Sequence, residues 1–197
     1  MRFVLALLLL LLSLTIAESA AADTTGIPCT IINTWLEGDT PVARISPAGT
    51  APSLADQGVI IHVEMMDCTP TPIPNFPFQD IWVSAQGELN ICRDGSVADA
   101  NTDEDGRTTI SGAIFGGNQS QGGVTVWVSG IPSDTGPLAL DFVSPDINGD
   151  LFVNLNDFSL FGADYNSTAF RSDLNDDGAV NLKDFSLFGQ HYNEVCP

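Results

Sequence analysis

The C-terminal part of the chain contains one stretch of sequence twice. Residues 146–162 are DINGDLFVNLNDFSLFG, and residues 173–189 are DLNDDGAVNLKDFSLFG. The copies stay in register at an offset of 27 residues (173 minus 146), which extends to Tyr165 and Tyr192. Because both copies place oxygen-bearing side chains at the same points, the repeat predicts two equivalent loops, each followed by the same Phe-Ser-Leu-Phe-Gly segment.

The spacing of these oxygens is that of a 12-residue loop around a calcium ion. Calcium takes about six to eight hard oxygen ligands, and such a loop supplies them from positions 1, 3, 5, 7, 9 and 12, with a backbone carbonyl at position 7. Clusters of Asp, Asn and Gly are also common in ordinary turns, but their repetition in register favours two Ca²⁺ sites. The predicted ligands are Asp146, Asn148, Asp150, the carbonyl of Phe152, Asn154 and Asp157 in the first loop, and Asp173, Asn175, Asp177, the carbonyl of Ala179, Asn181 and Asp184 in the second.

The two loops differ at position 6, which needs a sharp and often left-handed turn. Glycine adopts this conformation without steric cost, and the second loop has Gly178 there. The first loop has Leu151 at position 6, with its glycine displaced to Gly149. Because a left-handed non-glycine residue costs on the order of 1–2 kcal/mol, the first site is predicted to be the weaker or more distorted one.

The residues around each loop are similar to those of a known family. Residues 141–145 and 168–172, which precede the loops, do not have the pattern of amphipathic helices, and Pro145 disfavours a helix there. A duplicated loop followed by a helix, with Asp at position 12, resembles the type I dockerin module over residues 144–193. The resemblance implies a pair of half EF-hands, or F-hands, that fold with calcium and dock onto a cohesin, as in assemblies that degrade polysaccharides.

The helices after the loops depart from that family. Dockerins of this type carry Ser or Thr at loop positions 10 and 11 and a basic pair further along, whereas this chain has Leu155-Asn156 and Leu182-Lys183, then Gly162-Ala163 and Gly189-Gln190. The calcium chemistry therefore carries over, and the partner-binding face does not. We expect the apolar helix residues to form a small core between the half-hands instead of an exposed docking surface. These residues are Phe158, Leu160, Phe161, Phe185, Leu187 and Phe188.

The first 22 residues are typical of a secretory signal peptide. Arg2 precedes an apolar run over residues 4–12, and residues 20–22 are three alanines that suit cleavage. The run is short for a membrane span, so we expect a secreted, extracellular or cell-surface protein without a membrane span after cleavage. The net charge of −19, from six basic and 25 acidic residues, disfavours nucleic-acid binding, which needs basic groups.

Four cysteines in an exported chain predict disulfides. They are Cys29, Cys68, Cys92 and Cys196, and no Cys/His spacing of a zinc site accompanies them. Three pairings are possible, and the sequence does not decide between them. We favour Cys68 with Cys92, and Cys29 with Cys196, which would join the start of the mature chain to its end.

Residues 23–143 have the pattern of an all-β domain. Apolar or alternating runs predict strands at 59–63, 81–83, 108–114, 124–128 and 138–142, separated by Gly, Pro, Asn and Asp. The segment from Asp67 to Phe76 and the Thr102–Ile110 segment, with a hairpin before a core strand, are similar to bacterial Ig-like domains of the invasin kind. The predicted fold class is mainly β: an Ig-like antiparallel β-sandwich, followed at residues 144–197 by a small α-helical dockerin-like domain of two F-hand calcium loops.

No catalytic motif stands out, so we expect a protein that is not an enzyme. The chain has no Gly-x-Ser-x-Gly elbow, no His-Glu-x-x-His and no glycine-rich phosphate loop. His62 lies inside an apolar strand, where a structural role is favoured, and it shares a strand face with Glu64, which suggests a pair. His191 follows the second repeat helix, which suggests a surface or capping role. A pair of glycosidase carboxylates stays open, because sequence does not give their separation.

The three tryptophans leave carbohydrate contact open. Trp35, Trp82 and Trp127 could stack on sugars, but Trp82 and Trp127 have apolar neighbours, which favours core packing. The preferred function is a secreted, non-catalytic calcium-binding protein that docks a cohesin-like partner or assembles with itself. The alternative is a component of polysaccharide breakdown that is tethered through a dockerin–cohesin contact. In either case we expect calcium removal to loosen residues 144–197 and to leave the sandwich largely folded.

Overall fold

The computed structural model describes residues 29–197, apart from Gln86 and Glu88, so the signal peptide predicted at residues 1–22 lies outside the described residues. Within these residues no helix is long and apolar enough to cross a membrane. The strands are β1 Thr30–Glu37, β2 Val42–Arg44, β3 Ile60–Asp67, β4 Ile81–Ala85, β5 Asn90–Ile91, β6 Arg107–Ile110, β7 Gly116–Gly117, β8 Val124–Val128, β9 Ile131–Pro132 and β10 Asp141–Val143. The α-helices are α1 Leu155–Asp164 and α2 Leu182–Gln190.

Two antiparallel three-stranded sheets enclose the main core. One has the order β1-β3-β6 and the other the order β4-β8-β9. Alternate residues of each strand point inward, so Ile61 and Val63 of the first sheet share a buried cluster with Val83 and Val126 of the second. This arrangement confirms the prediction of a mainly β fold. The strand predicted at residues 124–128 is β8, with the same bounds.

Other strand predictions were less accurate. The strand predicted over residues 108–114 ends at Ile110, and the one predicted over residues 138–142 forms a regular strand only at Asp141–Val143. The eight-residue strand β1 was not predicted, because Thr34 interrupts the apolar alternation of its sequence. In the structure Thr34 points inward and is satisfied there, since its hydroxyl shares a 2.6 Å hydrogen bond with the hydroxyl of Thr135.

The interpretation of Trp82 and Trp127 as core residues was wrong. They are direct partners across β4 and β8, and both are only partly buried. The residues on either side of Trp127, Val126 and Val128, are fully buried, so Trp127 points to the outer face of the sheet. Apolar neighbours in sequence concealed this, because in a strand those neighbours lie on the opposite face.

Two further short strand pairs lie outside the three-stranded sheets. Strand β10 runs parallel to β2, and β5 pairs with β7. Phe142 belongs to the main core, whereas the next residue, Val143, packs in a second buried cluster. This second cluster is built from repeat-related pairs, and Val143 connects it to the sandwich. The pairs are Ile147 with Leu174, Val153 with Val180, and Phe161 with Phe188.

The two copies of the repeat also interlock through their backbones. Val153 N–H donates to the carbonyl of Glu194 at 2.9 Å, and Val180 N–H donates to that of Ser167 at 2.9 Å. Each loop therefore pairs with the segment that follows the other copy's helix. Each copy thus supplies a backbone acceptor to the loop of the other copy.

The expected small core between the half-hands was only partly right. Phe161 and Phe188 are buried, with ring centroids 5.6 Å apart. Phe158 and Phe185 are 41% and 43% exposed, so they do not belong to the core. The sequence placed all four on the same helical segments, but on a helix residues three apart can diverge between the buried face and its edge.

Both predicted disulfide pairings were wrong. The structure joins Cys29 to Cys68 and Cys92 to Cys196, with Cα–Cα distances of 5.6 and 5.8 Å. The first pairing follows from the strand register: Thr30 lies opposite Asp67, so the adjacent cysteines meet at the end of β1 and β3. The second ties Cys92, the residue after β5, to the end of the repeat.

The two histidines also have partners that the sequence did not indicate. His191 is the C-cap of α2, as one alternative predicted, but it is buried and not on the surface; its Nδ1 lies 3.0 Å from Thr50 Oγ1 and 2.8 Å from Glu194 Oε1. His62 shares a sheet face with Glu64, yet the expected pair does not form, because His62 Nε2 lies 2.8 Å from Glu37 Oε2.

Candidate metal centre

Each loop of the repeat brings three carboxylates together. Within each cluster one carboxylate oxygen per residue lies within 4.8 Å of the others. Two oxygens on opposite sides of one calcium ion are about 4.8 Å apart, because each lies at about 2.4 Å from the ion. The clusters therefore have the size and the hard-oxygen chemistry that calcium requires. Their members, at loop positions 1, 5 and 12, are Asp146, Asp150 and Asp157 in the first loop, and Asp173, Asp177 and Asp184 in the second.

The aspartates at positions 1 and 12 also determine the shape of the loop. Asp146, Asp157 and Asp184 are fully buried, and backbone N–H groups donate to their oxygens. A carboxylate has about four lone-pair sites, so these bonds leave acceptor capacity for a cation. The donors are Gly149 N (3.0 Å) and Leu151 N (2.8 Å) to Asp146, Asn148 N (3.0 Å) and Asn154 N (2.9 Å) to Asp157, and Leu174 N (2.9 Å) and Asn181 N (2.8 Å) to Asp184.

The position 9 asparagines, Asn154 and Asn181, are the N-caps of the two helices. Their side-chain oxygens accept from the backbone N–H groups of Asn156 and Lys183, each at 2.8 Å. The position 12 aspartates accept from the N-cap backbones, which completes a capping box on each helix. The position 12 carboxylate is therefore held in the loop by the same hydrogen bonds that cap the helix. A position 9 ligand often acts through a water molecule, which suits an asparagine whose oxygen already caps a helix.

The remaining predicted ligands also lie in the loops. The carbonyls of Phe152 and Ala179, at position 7, each accept from the position 9 amide of the same loop at 2.8 Å. The amides of Asn148 and Asn175, at position 3, donate to the position 5 aspartates at 3.0 and 3.1 Å. All twelve predicted residues are thus in two compact loops, and the amides connect neighbouring ligand positions.

Both loops have left-handed residues at positions 4 and 6. In the first loop these are Gly149 and Leu151, with φ of 71° and 66°, and in the second they are Asp176 and Gly178, with φ of 54° and 84°. Each copy has glycine at only one of the two positions. Asp occupies the left-handed region more readily than Leu, so the backbone strain is greater in the first loop.

We predict that Leu151→Gly stabilises the chain. Removing a left-handed leucine should raise the free energy of unfolding by about 1 kcal/mol, measured by urea denaturation without added metal. Gly178→Ala is the matched control, because nothing lies within 4 Å of a Cβ built there and only backbone strain changes. That variant should lose about 1 kcal/mol. A Leu151→Gly protein less stable than the parent would contradict the strain assigned to this position.

The pKa of Asp146 is raised from its usual value of 3.8 to about 6, mainly by burial. The N–H groups of Leu151 and Gly149 oppose the rise, and the nearby carboxylates of Asp157 and Asp150 contribute to it. Because the folded-state pKa lies above the unfolded one, ionising Asp146 reduces stability as the pH rises through about 6. A cation in the loop would favour the ionised form and remove this penalty.

The first loop lies against the sandwich. The Asp146 carbonyl accepts from Asn118 N–H at 2.6 Å, and the Gly149 carbonyl accepts from Asn90 Nδ2 at 2.6 Å. A Cβ at Gly117 would come within 1.8 Å of Asp146 Oδ2, so only glycine fits there. Asn90, Gly117 and Asn118 therefore support the site from β5, β7 and the residue after β7. No sequence signal pointed to these three residues, since they lie 28 or more residues before the loop.

The second loop is more exposed and has different neighbours. Lys183 Nζ donates to Asp177 Oδ2 at 2.9 Å, so a cation in this loop has to compete with an ammonium group. The equivalent residue of the first loop is the neutral Asn156. Arg44 of β2 donates to the carbonyl of Leu174 at 3.2 Å and provides one contact of this loop with the sandwich.

The first turns of α1 and α2 present an apolar surface next to the loops. We call it the helix face and define it by Leu155, Phe158, Leu182 and Phe185. The two leucines are 64% and 70% exposed, and the rings of Phe158 and Phe185 contact each other with centroids 6.1 Å apart. The helix face extends across both copies, and each copy contributes one leucine and one phenylalanine at equivalent positions of the repeat. The helix face adjoins the position 12 aspartates, because Phe158 and Phe185 are the residues that come next in the sequence.

Comparisons with known proteins give little beyond these observations. No family model matches the chain, and no curated protein matches it. Among solved structures, a chain of an N-terminal interface mutant of a type II cohesin–X–dockerin complex from Acetivibrio cellulolyticus is 17% identical, with 83% of this chain and 97% of that chain covered and a TM-score of 0.25. A chain of a C-terminal interface mutant of the same complex is also 17% identical, with 85% of this chain and 97% of that chain covered and a TM-score of 0.26. TM-scores this low do not establish a shared fold.

Proposed function

We propose that this is an exported, non-catalytic protein that binds two calcium ions and docks a partner protein through the helix face. The observation that carries the proposal is the direct succession of Asp157 and Phe158, repeated in Asp184 and Phe185. In each copy the buried carboxylate that closes the loop precedes an aromatic residue of the exposed face. An ion that fixes the first helical turn would also fix the docking residues.

Calcium is the ion that the donor set favours. Each loop offers three carboxylates, amide oxygens and a backbone carbonyl, and no sulfur or imidazole, which suits hard cations over zinc or copper. Bound calcium would neutralise part of the charge of each cluster and remove the repulsion between carboxylates that lie within 4.8 Å of one another. The two disulfides suit an oxidising, extracellular setting.

The helix face has the composition of a docking surface. Four large apolar side chains are exposed side by side, and monomeric soluble proteins tend to keep such groups apart. The net charge of −19 opposes association of two copies of this chain, so a different protein is the favoured partner. The resemblance of the loops to type I dockerins makes a cohesin the first partner to test. Such binding would support the alternative role in polysaccharide breakdown.

The test is binding of the full chain to immobilised type I and type II cohesins, with calcium or with EDTA. We predict binding in calcium and loss of it in EDTA. Phe158→Ala with Phe185→Ala should weaken binding by about thirtyfold or more, as for central aromatic residues of interfaces. Trp35→Ala is the matched control, since Trp35 is a similarly exposed aromatic residue, at 40%, on the sandwich.

Two results would count against the proposal. Cohesin binding that persists in EDTA, or that the double phenylalanine variant leaves unchanged, would separate docking from the helix face. A chain that binds no cohesin and stays monomeric in calcium by light scattering would exclude both a cohesin and a second copy as the partner. A calcium-dependent dimer that the double variant abolishes would instead identify a second copy as the partner.

A further inference from the structure

The outer face of the sheet β1-β3-β6 has two rows of functional side chains. One row crosses the three strands as Trp35, His62 and Thr109, and the other as Asn33, Glu64 and Arg107. Members of a row are direct partners across strands, so they project from the same face. The rows are two residues apart along each strand, which is about 7 Å.

The first row holds an indole ring in a fixed plane. Trp35 stacks on His62 with ring centroids 5.0 Å apart and an angle of 3° between the ring planes. His62 is itself held by Glu37, through a 2.8 Å contact between Nε2 and Oε2. Trp35 remains 40% exposed although one side of its ring is covered. Part of the indole is therefore accessible to a ligand.

The second row provides oriented hydrogen-bonding groups. Arg107 donates to Glu64 Oε1 from Nε at 2.9 Å and from Nη2 at 2.7 Å, and Asn33 Nδ2 donates to Glu64 Oε2 at 3.3 Å. These bonds fix the guanidinium and use only part of its five donors. The Arg107 side chain is 56% exposed, so the remaining donors are accessible to a ligand.

The one guanidinium of this face already has a carboxylate partner, because Arg107 is paired with Glu64. His62 contacts a second carboxylate, that of Glu37. A chain with a net charge of −19 repels anionic ligands, and the one guanidinium of the face is already neutralised. The fitting ligand is neutral, has a flat apolar side for the indole, and carries hydrogen-bonding groups on its rim at about 7 Å, the spacing of the rows. A pyranose ring within an oligosaccharide has these properties, since one face of the ring presents C–H groups and the rim presents hydroxyls.

We propose that this sheet face binds a neutral oligosaccharide, with one pyranose ring stacked on Trp35 and neighbouring hydroxyls bonded to Arg107 and Asn33. The site is separate in residues from the calcium loops and from the helix face. It would let the chain hold a glycan and a partner protein at the same time.

Isothermal titration of the calcium-loaded full chain tests this proposal. The probes are the neutral hexasaccharides of β-1,4-linked glucose, xylose, mannose and N-acetylglucosamine, with anionic hexagalacturonate as the charge control. We expect at least one neutral probe to bind and the anionic one not to bind. No binding of any neutral probe at about 5 mM, where even a millimolar dissociation constant is detectable, would overturn the proposal.

Variants separate binding from a structural role of the Trp35–His62 pair, which also stabilises the sheet as a cross-strand contact. Trp35→Ala should weaken binding by about tenfold or more, and Trp35→Tyr should recover part of it. Arg107→Lys keeps a charge for Glu64 but loses the planar fork, so we expect a loss of about threefold to tenfold. Phe158→Ala with Phe185→Ala should leave glycan binding unchanged. Equal binding by the Trp35→Ala protein and the parent would assign the tryptophan to the sheet alone.

Discussion

Removing calcium should lower the melting temperature of the sandwich as well as that of the repeat. Each site saturated at a hundredfold excess over its dissociation constant adds about 2.7 kcal/mol, so two sites add about 5 kcal/mol. For a chain of this size the expected drop is about 10–20 °C. The sequence led us to expect a sandwich that stays folded without calcium. The bonds from Asn118 and Asn90 to the first loop change that expectation, because they transmit loosening of the loop to β5 and β7.

Tryptophan fluorescence provides a selective measurement of this effect. All three tryptophans, Trp35, Trp82 and Trp127, precede the repeat and lie in the sandwich, so their emission reports on its unfolding. Calorimetry reports on the whole chain, and both transitions should shift together in EDTA. Asp157→Asn, in the loop that contacts the sandwich, should move the tryptophan transition more than Asp184→Asn. The opposite result is a tryptophan transition at the same temperature with and without EDTA, together with a calorimetric transition that splits in two. It would show that the sandwich and the repeat unfold independently.

Breaking the disulfide between Cys92 and Cys196 should cause the second large loss. The bond spans 104 residues, for which the loop-entropy estimate is about 4–5 kcal/mol. Replacing both cysteines by serine should therefore lower the free energy of unfolding by about that amount, measured by urea denaturation with calcium present. The loss should also loosen the repeat on the sandwich, because Cys196 is bonded directly to the residue after β5.

The disulfide between Cys29 and Cys68 is the internal control. It spans 39 residues, and the same loop-entropy relation gives a loss smaller by about 1 kcal/mol. It joins β1 to β3 within one sheet, so its removal should not alter the calcium dependence of melting. If the double serine variant at 92 and 196 were as stable as the parent, the repeat would be held by its noncovalent contacts alone.

The sequence predicted those parts of the site that depend on local spacing. The structure brings together the carboxylates at positions 1, 5 and 12 of each predicted loop, because one turn and the helix after it determine which oxygens converge. The left-handed turn at Leu151 was likewise inferred from a missing glycine and has φ of 66°. The ions themselves stay a prediction, as does the division of the chain at residues 143 and 144.

Features that depend on strand register and on packing across the chain could not be predicted. The partner of Cys29 depends on which strand lies beside β1, a strand whose alternation is interrupted by the inward-facing Thr34. Trp127 has the same apolar neighbours whichever face it occupies, so its sequence context suggested burial. Phe158 and Phe161 are equally apolar, and only the packing of α1 against α2 makes one an exposed residue and the other a core residue.

The close approach of Gly117 to Asp146 determines what can be moved into another protein. A fragment that starts at Ser144 would lose Asn118 and Asn90 as hydrogen-bond donors and Cys92 as the partner of Cys196. It would also expose to water the side of the first loop that rests on β7. Transfer of the repeat into another protein should therefore include the part of the sandwich that supplies these contacts.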